Sequence, residues 1–533
     1  MKAVIMAGGM GTRLKPLTCN LPKPMVPIFT KPVMEYTINL LKQYDITEIA
    51  VTLQYLPKEI ENYFGNGSQW GVNLHYFEET KPLGTAGSVK NCSDFLDESF
   101  IVISGDGITD FNLQEAIDFH NQKKALATIV LTPVEEPLEY GVVITDAERR
   151  IVRFLEKPNW SQVFSDLVNT GIYILEPAAL NICPEGQFFD FSKDLFPQIL
   201  AQKLPFYGYS LKGYWSDIGN IHQYRQTQFD ILAGQTKIPI AASETAPGVW
   251  LQEGVKIGQG VKLQGPLFIG RNTIIESGAS IGEYSVIGPN NVIRENATTK
   301  RTISWNNSYL GSGAELRGCI IGAKVRVGEK TRIYEGAAIG DCCNLARSST
   351  VNPDIKLWPY KETDEGVKVT QSLIWGQRQK SNIFGLNGIS GLLGVELNPF
   401  NVAKIAGAYA STLPSMATVV LGRTSHKYTS ILADSIKSSL LASGINVIDA
   451  GMVSLPILRY IVKSNGGNGG FYVGHFESEK GTIVLLDKNG HNIPAGLERK
   501  IENCLAVEEF PCITIKETGE LNQDHNGLQE YEQ

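Results

Sequence analysis

The chain has no apolar run long enough to cross a bilayer, no CxxC pair and no block of lysine and arginine. The first absence argues against a membrane span. The second, with eight cysteines scattered through 533 residues and only Cys342 and Cys343 adjacent, excludes both a disulfide framework and a thiolate metal site. Reduced thiols of that kind fit the cytoplasm. The N-terminal "KAVIMAGG" is too short for a secretory leader and no cleavage region follows it, which gives the same expectation. The third absence, with a formal net charge of -7, argues against nucleic acid as a partner. A fourth absence is local. From Met1 to Met34 there is no Asp or Glu, whereas Lys2, Arg13, Lys15, Lys23 and Lys31 all fall there. A purely basic, glycine- and proline-rich loop opening an acidic chain points to a bound anion.

Three regions follow one another. Over 1–233, short apolar runs ("AVIMA", "IAVTL", "FIVIS", "LATIVL") alternate with amphipathic segments such as "VMEYTINLLKQY". That grammar predicts βαβ units and a mostly parallel sheet, with ligands outside the carboxyl ends of the strands. Over 248–376, apolar-glycine pairs recur at Gly258, Gly270, Gly282, Gly288, Gly322, Gly328 and Gly340. Their separations are multiples of six except one, across "RENATTKRTISWNNSY", which reads as an insertion or looped-out turn. A six-residue period is the hexapeptide signature of a parallel β-helix. Such a domain offers flat faces and open ends, so a homo-oligomer is expected. From 381 the period disappears and a third, small α/β region runs to about 516. The polar, acidic stretch 517–533 reads as an unstructured tail.

The chemistry concentrates in the first region. Gly8-Gly9-Met10-Gly11-Thr12-Arg13 follows the first strand, and glycine there lets backbone N–H groups approach phosphate oxygens closely. Alone this is an ordinary turn, since it is neither the dinucleotide fingerprint nor the P-loop. Arg13, and Lys23 held between Pro22 and Pro24, add two cations suited to a polyphosphate.

"GGMGTRLKPLT…PKPMVPI" resembles the signature of the nucleotide-sugar pyrophosphorylases, the sugar-phosphate nucleotidylyltransferases. The resemblance implies a Rossmann-like nucleotidyltransferase domain followed by a left-handed β-helix. It implies that Gly8, Gly9, Gly11 and Thr12 hold the triphosphate, and that Arg13 and Lys23 are the catalytic cations. "PLGTAGS" implies base contacts from Gly84, Thr85 and Gly87, and Gln54 is a further candidate for reading the base. "ISGDG" and "YWSDIG" imply Asp106 and Asp217 as ligands of Mg²⁺, a hard cation for which two carboxylates plus phosphate oxygens suffice. "EYGVV", "FLEKP" and "VNTG" imply Gly141, Glu156, Lys157 and Asn169 for the sugar phosphate. Within the family the motifs look most like the mannose-1-phosphate guanylyltransferases, which makes GTP and mannose-1-phosphate the expected substrates. A glucose-1-phosphate uridylyl- or adenylyltransferase is the alternative, and a non-catalytic nucleotide-sugar sensor a third reading.

The last region resembles the first domain of the phosphomannomutases and phosphoglucomutases through "FGLNGISG", "VVLGRTS" and "NGGNGGFYVGHFESEKG". That family's reactive serine loop is missing: its serine position falls near Phe476, with Ser478 off register beside His475. A relic loop with a structural or regulatory role is expected, without mutase activity.

Overall fold

The computed structural model describes residues 1–156, 165–374, 378–379, 383–385, 388–477, 479–507, 510–511 and 513–523. They divide into two compact units, Met1–Leu373 and Ile374–Gln533.

The first unit opens with a nine-stranded sheet. One half is parallel: Lys2–Met6 lies between Phe100–Ser104 and Glu48–Leu53, and Asn73–Glu78 closes the edge. Adjacent residues of the central strand enter different cores. Ile5 packs with Ile38 and Ile103 on one face, Val4 with Ala86 and Val102 on the other. A strand buried on both faces must be continuously apolar, which is why "AVIM" does not alternate.

The other half departs from the expected mostly parallel arrangement. Leu167–Leu175 runs antiparallel to Phe100–Ser104, Ala127–Pro133 and Gly141–Thr145. Gly141–Thr145 and Ile151–Glu156 form a hairpin whose turn is tied by the Asp146 carboxylate, which accepts from the N–H groups of Glu148 and Arg150. So short a connection can join only antiparallel strands.

Beyond the sheet, three families of short strands stack in parallel through 249–369, each chain turn visiting the three faces in order. Most turns span eighteen residues, as in Leu267 over Ser285. The inward residues are the apolar members of the repeat: Ile281, Ile287, Ile321, Leu345 and Leu357 are all fully buried. Glycine follows many of them because the next turn's backbone lies directly above. A Cβ on Gly340 would fall 2.7 Å from the Pro359 nitrogen, and one on Gly270 would fall 2.6 Å from that of Pro289.

The exceptional glycine spacing is not an insertion. Val286 pairs with Ile303 and Ile303 with Ile320, so two successive turns are each one residue short. Each shortening falls at one corner, at Arg301 and Gly318, and leaves an open groove of about 680 Å³ there.

One outer face of this coil packs on the neighbours of the nine-stranded sheet. Phe268, Val286, Ile303, Trp305 and Ile320 share a core with Leu14, Leu17, Val26, Ile28, Ile108 and Ile218.

The second unit is a six-stranded sheet in which Thr418–Arg423 lies parallel to Asn446–Met452 and Gly469–Glu477. Val419 and Leu421 face one core and Val420 the other. Part of the expected tail is ordered: Leu521–Gln523 adds a parallel strand beside Asn446–Met452, after a Thr514–Glu517 capping box. Pairing of an open strand edge outweighs the polar composition there. Ser478 lies outside the described residues, and His475 and Phe476 continue the backbone of Gly469–Glu477.

Leu345→Ala should remove a fully buried side chain from the coil's core. Chemical unfolding is expected to show a loss of about 2–5 kcal/mol, whereas a loss under about 1 kcal/mol would mean the turns are not close-packed there.

Candidate active site

The basic loop leaves the sheet at the carboxyl end of Lys2–Met6, as strand order requires. Gly11 adopts φ +60°, and a Cβ on it would meet the Lys23 Cβ at 3.0 Å and the Thr18 methyl at 3.1 Å. Only glycine suits both the conformation and the contact. Thr18 donates from its hydroxyl to the Gly11 carbonyl at 2.7 Å, closing the loop on itself. Gly9 faces open space, and Arg13 extends to within 3.7 Å of the Glu139 carboxylate, more than half exposed.

Lys23 behaves differently. Its side chain is one-tenth exposed, and its Nζ lies 2.5 Å from Asp106 Oδ2 and 3.2 Å from Asp217 Oδ1. Asp106 follows the strand Phe100–Ser104. Asp217 reaches it because Trp215–Asp217 pairs antiparallel with Gly107–Thr109, setting Asp217 opposite Gly107. The Ser104 hydroxyl donates to the second Asp106 oxygen.

Burial alone would lower the Lys23 ammonium, but Asp106 and then Asp217 outweigh it and hold it above its ordinary value. Burial would raise Asp106, yet the Lys23 charge and the hydrogen bonds from Lys23 and Ser104 hold it below the usual carboxylate range. Asp217 moves the other way. Burial pushes it up, Lys23 pulls it down, and the neighbouring Asp106 pushes it up again.

On one flank, a Cβ on Gly141 would meet Glu156 Oε2 at 2.8 Å and the Asn169 Cβ at 3.6 Å, so these three residues form one cluster. Asn169 stands at a break in the strand register where Gly171 turns to φ +75°, and its Oδ1 accepts from the Gly171 N–H. Lys157 lies outside the described residues. On the other flank, Gly8 lies against Gln54, with Glu79 Oε1 just beyond. Glu79 accepts from the Leu83 N–H and the Ser88 hydroxyl and so anchors the "PLGTAGS" turn. Gly84 and Gly87 have a packing reason of their own, because the backbone of 187–189 crosses at 2.7–2.8 Å from where their Cβ atoms would stand. Thr85 fastens that crossing, donating to Asp190 and accepting from the Phe191 N–H.

Three family models match the chain: Nucleotidyl transferase over residues 2–234, GMPPB C-terminal domain over 263–374, and the alpha/beta/alpha domain I of phosphoglucomutase/phosphomannomutase over 381–511. The chain is 39% identical over 332 residues to a UTP–glucose-1-phosphate uridylyltransferase of Synechocystis sp., spanning 59% of this chain and 86% of that protein. It is 33% identical over 370 residues to probable mannose-1-phosphate guanylyltransferase 2 of Arabidopsis thaliana, spanning 67% of this chain and all of that one. The chain belongs to the sugar-1-phosphate nucleotidylyltransferases. Among solved structures, HddC from Yersinia pseudotuberculosis is 27% identical, with a TM-score of 0.39 over 43% of this chain and 99% of its own.

In this nucleotidylyltransferase, four neighbours escaped the motif reading. Ser104 and Gly219 stood inside quoted motifs, beside the carboxylates. A Cβ on Gly219 would fall 3.2 Å from Asp217 Oδ2 and 3.3 Å from an Arg13 guanidinium nitrogen. Glu139 likewise opened the quoted "EYGVV", and Glu79 gave no signal, since a single carboxylate in a loop is ordinarily solvated.

Lys23→Met should leave two carboxylates facing each other. Lys23 is raised in the fold, so its contribution is fully present at neutral pH; Asp106 is lowered, so its contribution is lost as pH falls through the carboxylate range. Urea unfolding should show a loss of about 2–4 kcal/mol at pH 7, moderated by the partial exposure of Asp217. The gap should narrow below about pH 4; a gap independent of pH would contradict the paired geometry.

Proposed function

We propose that the protein transfers a guanylyl group from GTP to mannose-1-phosphate, giving GDP-mannose and pyrophosphate. The observation that carries the reading is the convergence of Lys23, Asp106 and Asp217 at the loop of Gly11 and Arg13, with the Gly141–Glu156–Asn169 cluster on one flank. The choice of substrates is supported by the match of the coil domain to the GMPPB C-terminal domain and by guanylyltransferase relatives that the chain spans end to end.

A phosphate oxygen of the sugar phosphate attacks the α-phosphorus in line. A new P–O bond forms as the bond to the bridging oxygen breaks, and pyrophosphate departs with that electron pair. No covalent enzyme intermediate is required. Lys23 is held at a fixed point by two carboxylates, so its charge costs little reorganisation when the transition state forms. Arg13, more than half exposed and 3.7 Å from Glu139, can swing onto the phosphates. Glu156 and Asn169 present an acceptor and a donor to sugar hydroxyls.

The carboxylates fit Mg²⁺. Asp106 and Asp217 already converge on one cation, and two carboxylates completed by phosphate oxygens form a hard donor set. Mg²⁺ held there would neutralise charge on the phosphate oxygens.

A second reading has one specific observation in its favour. The 39% identity to a UTP–glucose-1-phosphate uridylyltransferase keeps the mechanism and changes base and sugar. Pyrophosphate release from purified protein with Mg²⁺, crossing GTP, UTP, ATP and dTTP with mannose- and glucose-1-phosphate, separates the two. Preference for GTP with mannose-1-phosphate is expected, and preference for UTP with glucose-1-phosphate would replace the substrate assignment. Arg13→Ala should lower kcat about 10²–10³-fold with little change in KM for the sugar phosphate. Equal losses in kcat and in affinity would remove it from the transition state.

A further inference from the structure

The segment carrying Lys23 is held from outside the transferase sheet. The Pro27 carbonyl, four residues past Lys23, accepts a hydrogen bond from the Tyr224 hydroxyl at 2.6 Å. The same hydroxyl accepts from the indole N–H of Trp305 at 2.9 Å, and Trp305 belongs to the coil domain. Tyr224 is fully buried and Trp305 nearly so. Two residues further on, the Phe29 N–H donates to the Gln228 side chain at 3.0 Å, and the Phe29 ring packs on Phe268 of the coil at 4.9 Å. The apolar core around Trp305 includes Ile108 and Ile218, each within two residues of a site carboxylate.

We propose that Tyr224 and Trp305 are positioning residues for the nucleotidyl transfer. Through the relay Trp305–Tyr224–Pro27, the coil domain sets where the Lys23 ammonium stands between Asp106 and Asp217. The coil is then a working wall of the active site. A buried hydroxyl that donates to one fixed carbonyl and accepts from one fixed indole has both its directions determined. Shifting Pro27 moves the short turn Lys23–Met25 with it, since the Val26 N–H bonds the Lys23 carbonyl. Transfer at phosphorus is sensitive to placement at the ångström scale. The inference rests on the role given to Lys23 above, and the test separates the two.

Tyr224→Phe keeps the ring and removes the hydroxyl; Trp305→Phe keeps an aromatic ring and removes the N–H. In steady-state kinetics well below the melting temperature, Tyr224→Phe should lower kcat about tenfold while KM for the sugar phosphate stays within about twofold. Trp305→Phe should lower kcat less, and the double variant should match Tyr224→Phe alone, because the relay passes through that hydroxyl. Circular dichroism at the assay temperature checks that each variant is folded. Unchanged kcat in folded Tyr224→Phe, or additive losses in the double variant, would overturn the proposal. Lys23→Ala with unaltered kcat would instead overturn the role of Lys23 itself.

Discussion

A single ammonium shared by two carboxylates organises this protein. Lys23, Asp106 and Asp217 come from a loop, a strand end and a ribbon that are far apart in the chain, and they meet in a largely buried place. Each charge there would be costly alone, so the three segments are stable only together. That mutual dependence explains local features that otherwise look unrelated. Gly11 must be glycine because Lys23 packs against it, Ser104 must reach Asp106, and the ribbon Gly107–Thr109 with Trp215–Asp217 must hold its register. A one-residue slip of that ribbon would carry Asp217 to the other face.

In the proposed reaction the same set of charges would serve before and during catalysis. Two carboxylates that converge on an ammonium form a place where another cation is welcome. The two carboxylates differ: Lys23 and Ser104 hold Asp106 low, whereas burial and the neighbouring Asp106 push Asp217 up.

The coil domain is commonly thought of as an independent rod because its turns contact only their neighbours. Here one face carries Phe268, Val286, Ile303, Trp305 and Ile320 into a core shared with the residues flanking Lys23, Asp106 and Asp217. The two shortened turns, at Arg301 and Gly318, lie beside the helix Ile221–Leu232, where Arg225 donates to the Gly318 carbonyl at 2.6 Å. The second unit has its own two cores, one on each face of a six-stranded sheet, and its sheet gains an edge strand from a polar stretch that composition alone would leave unstructured.

The alternation of apolar runs and helices and the six-residue period were sufficient to divide the chain into a βα region, a repeating coil and a third α/β region, and short motifs named Lys23, Asp106 and Asp217, which converge in space, because each is a local signal repeated or ordered along the chain. Glycine at Gly11 and Gly141 and the carboxylates at Asp106 and Asp217 were legible for that reason. What stayed hidden depends on contacts between residues distant in sequence. The antiparallel half of the sheet follows from a hairpin turn at Asp146–Arg150, the two short coil turns from register, and the glycines Gly84 and Gly87 from a backbone crossing at 187–189. Most of all, nothing in the sequence places Trp305 and Tyr224 behind Pro27. Local patterning determined which residues carry charge and where the chain turns; only tertiary packing decided which of those charges share one ammonium, because burial and hydrogen-bond geometry are properties of neighbours in space.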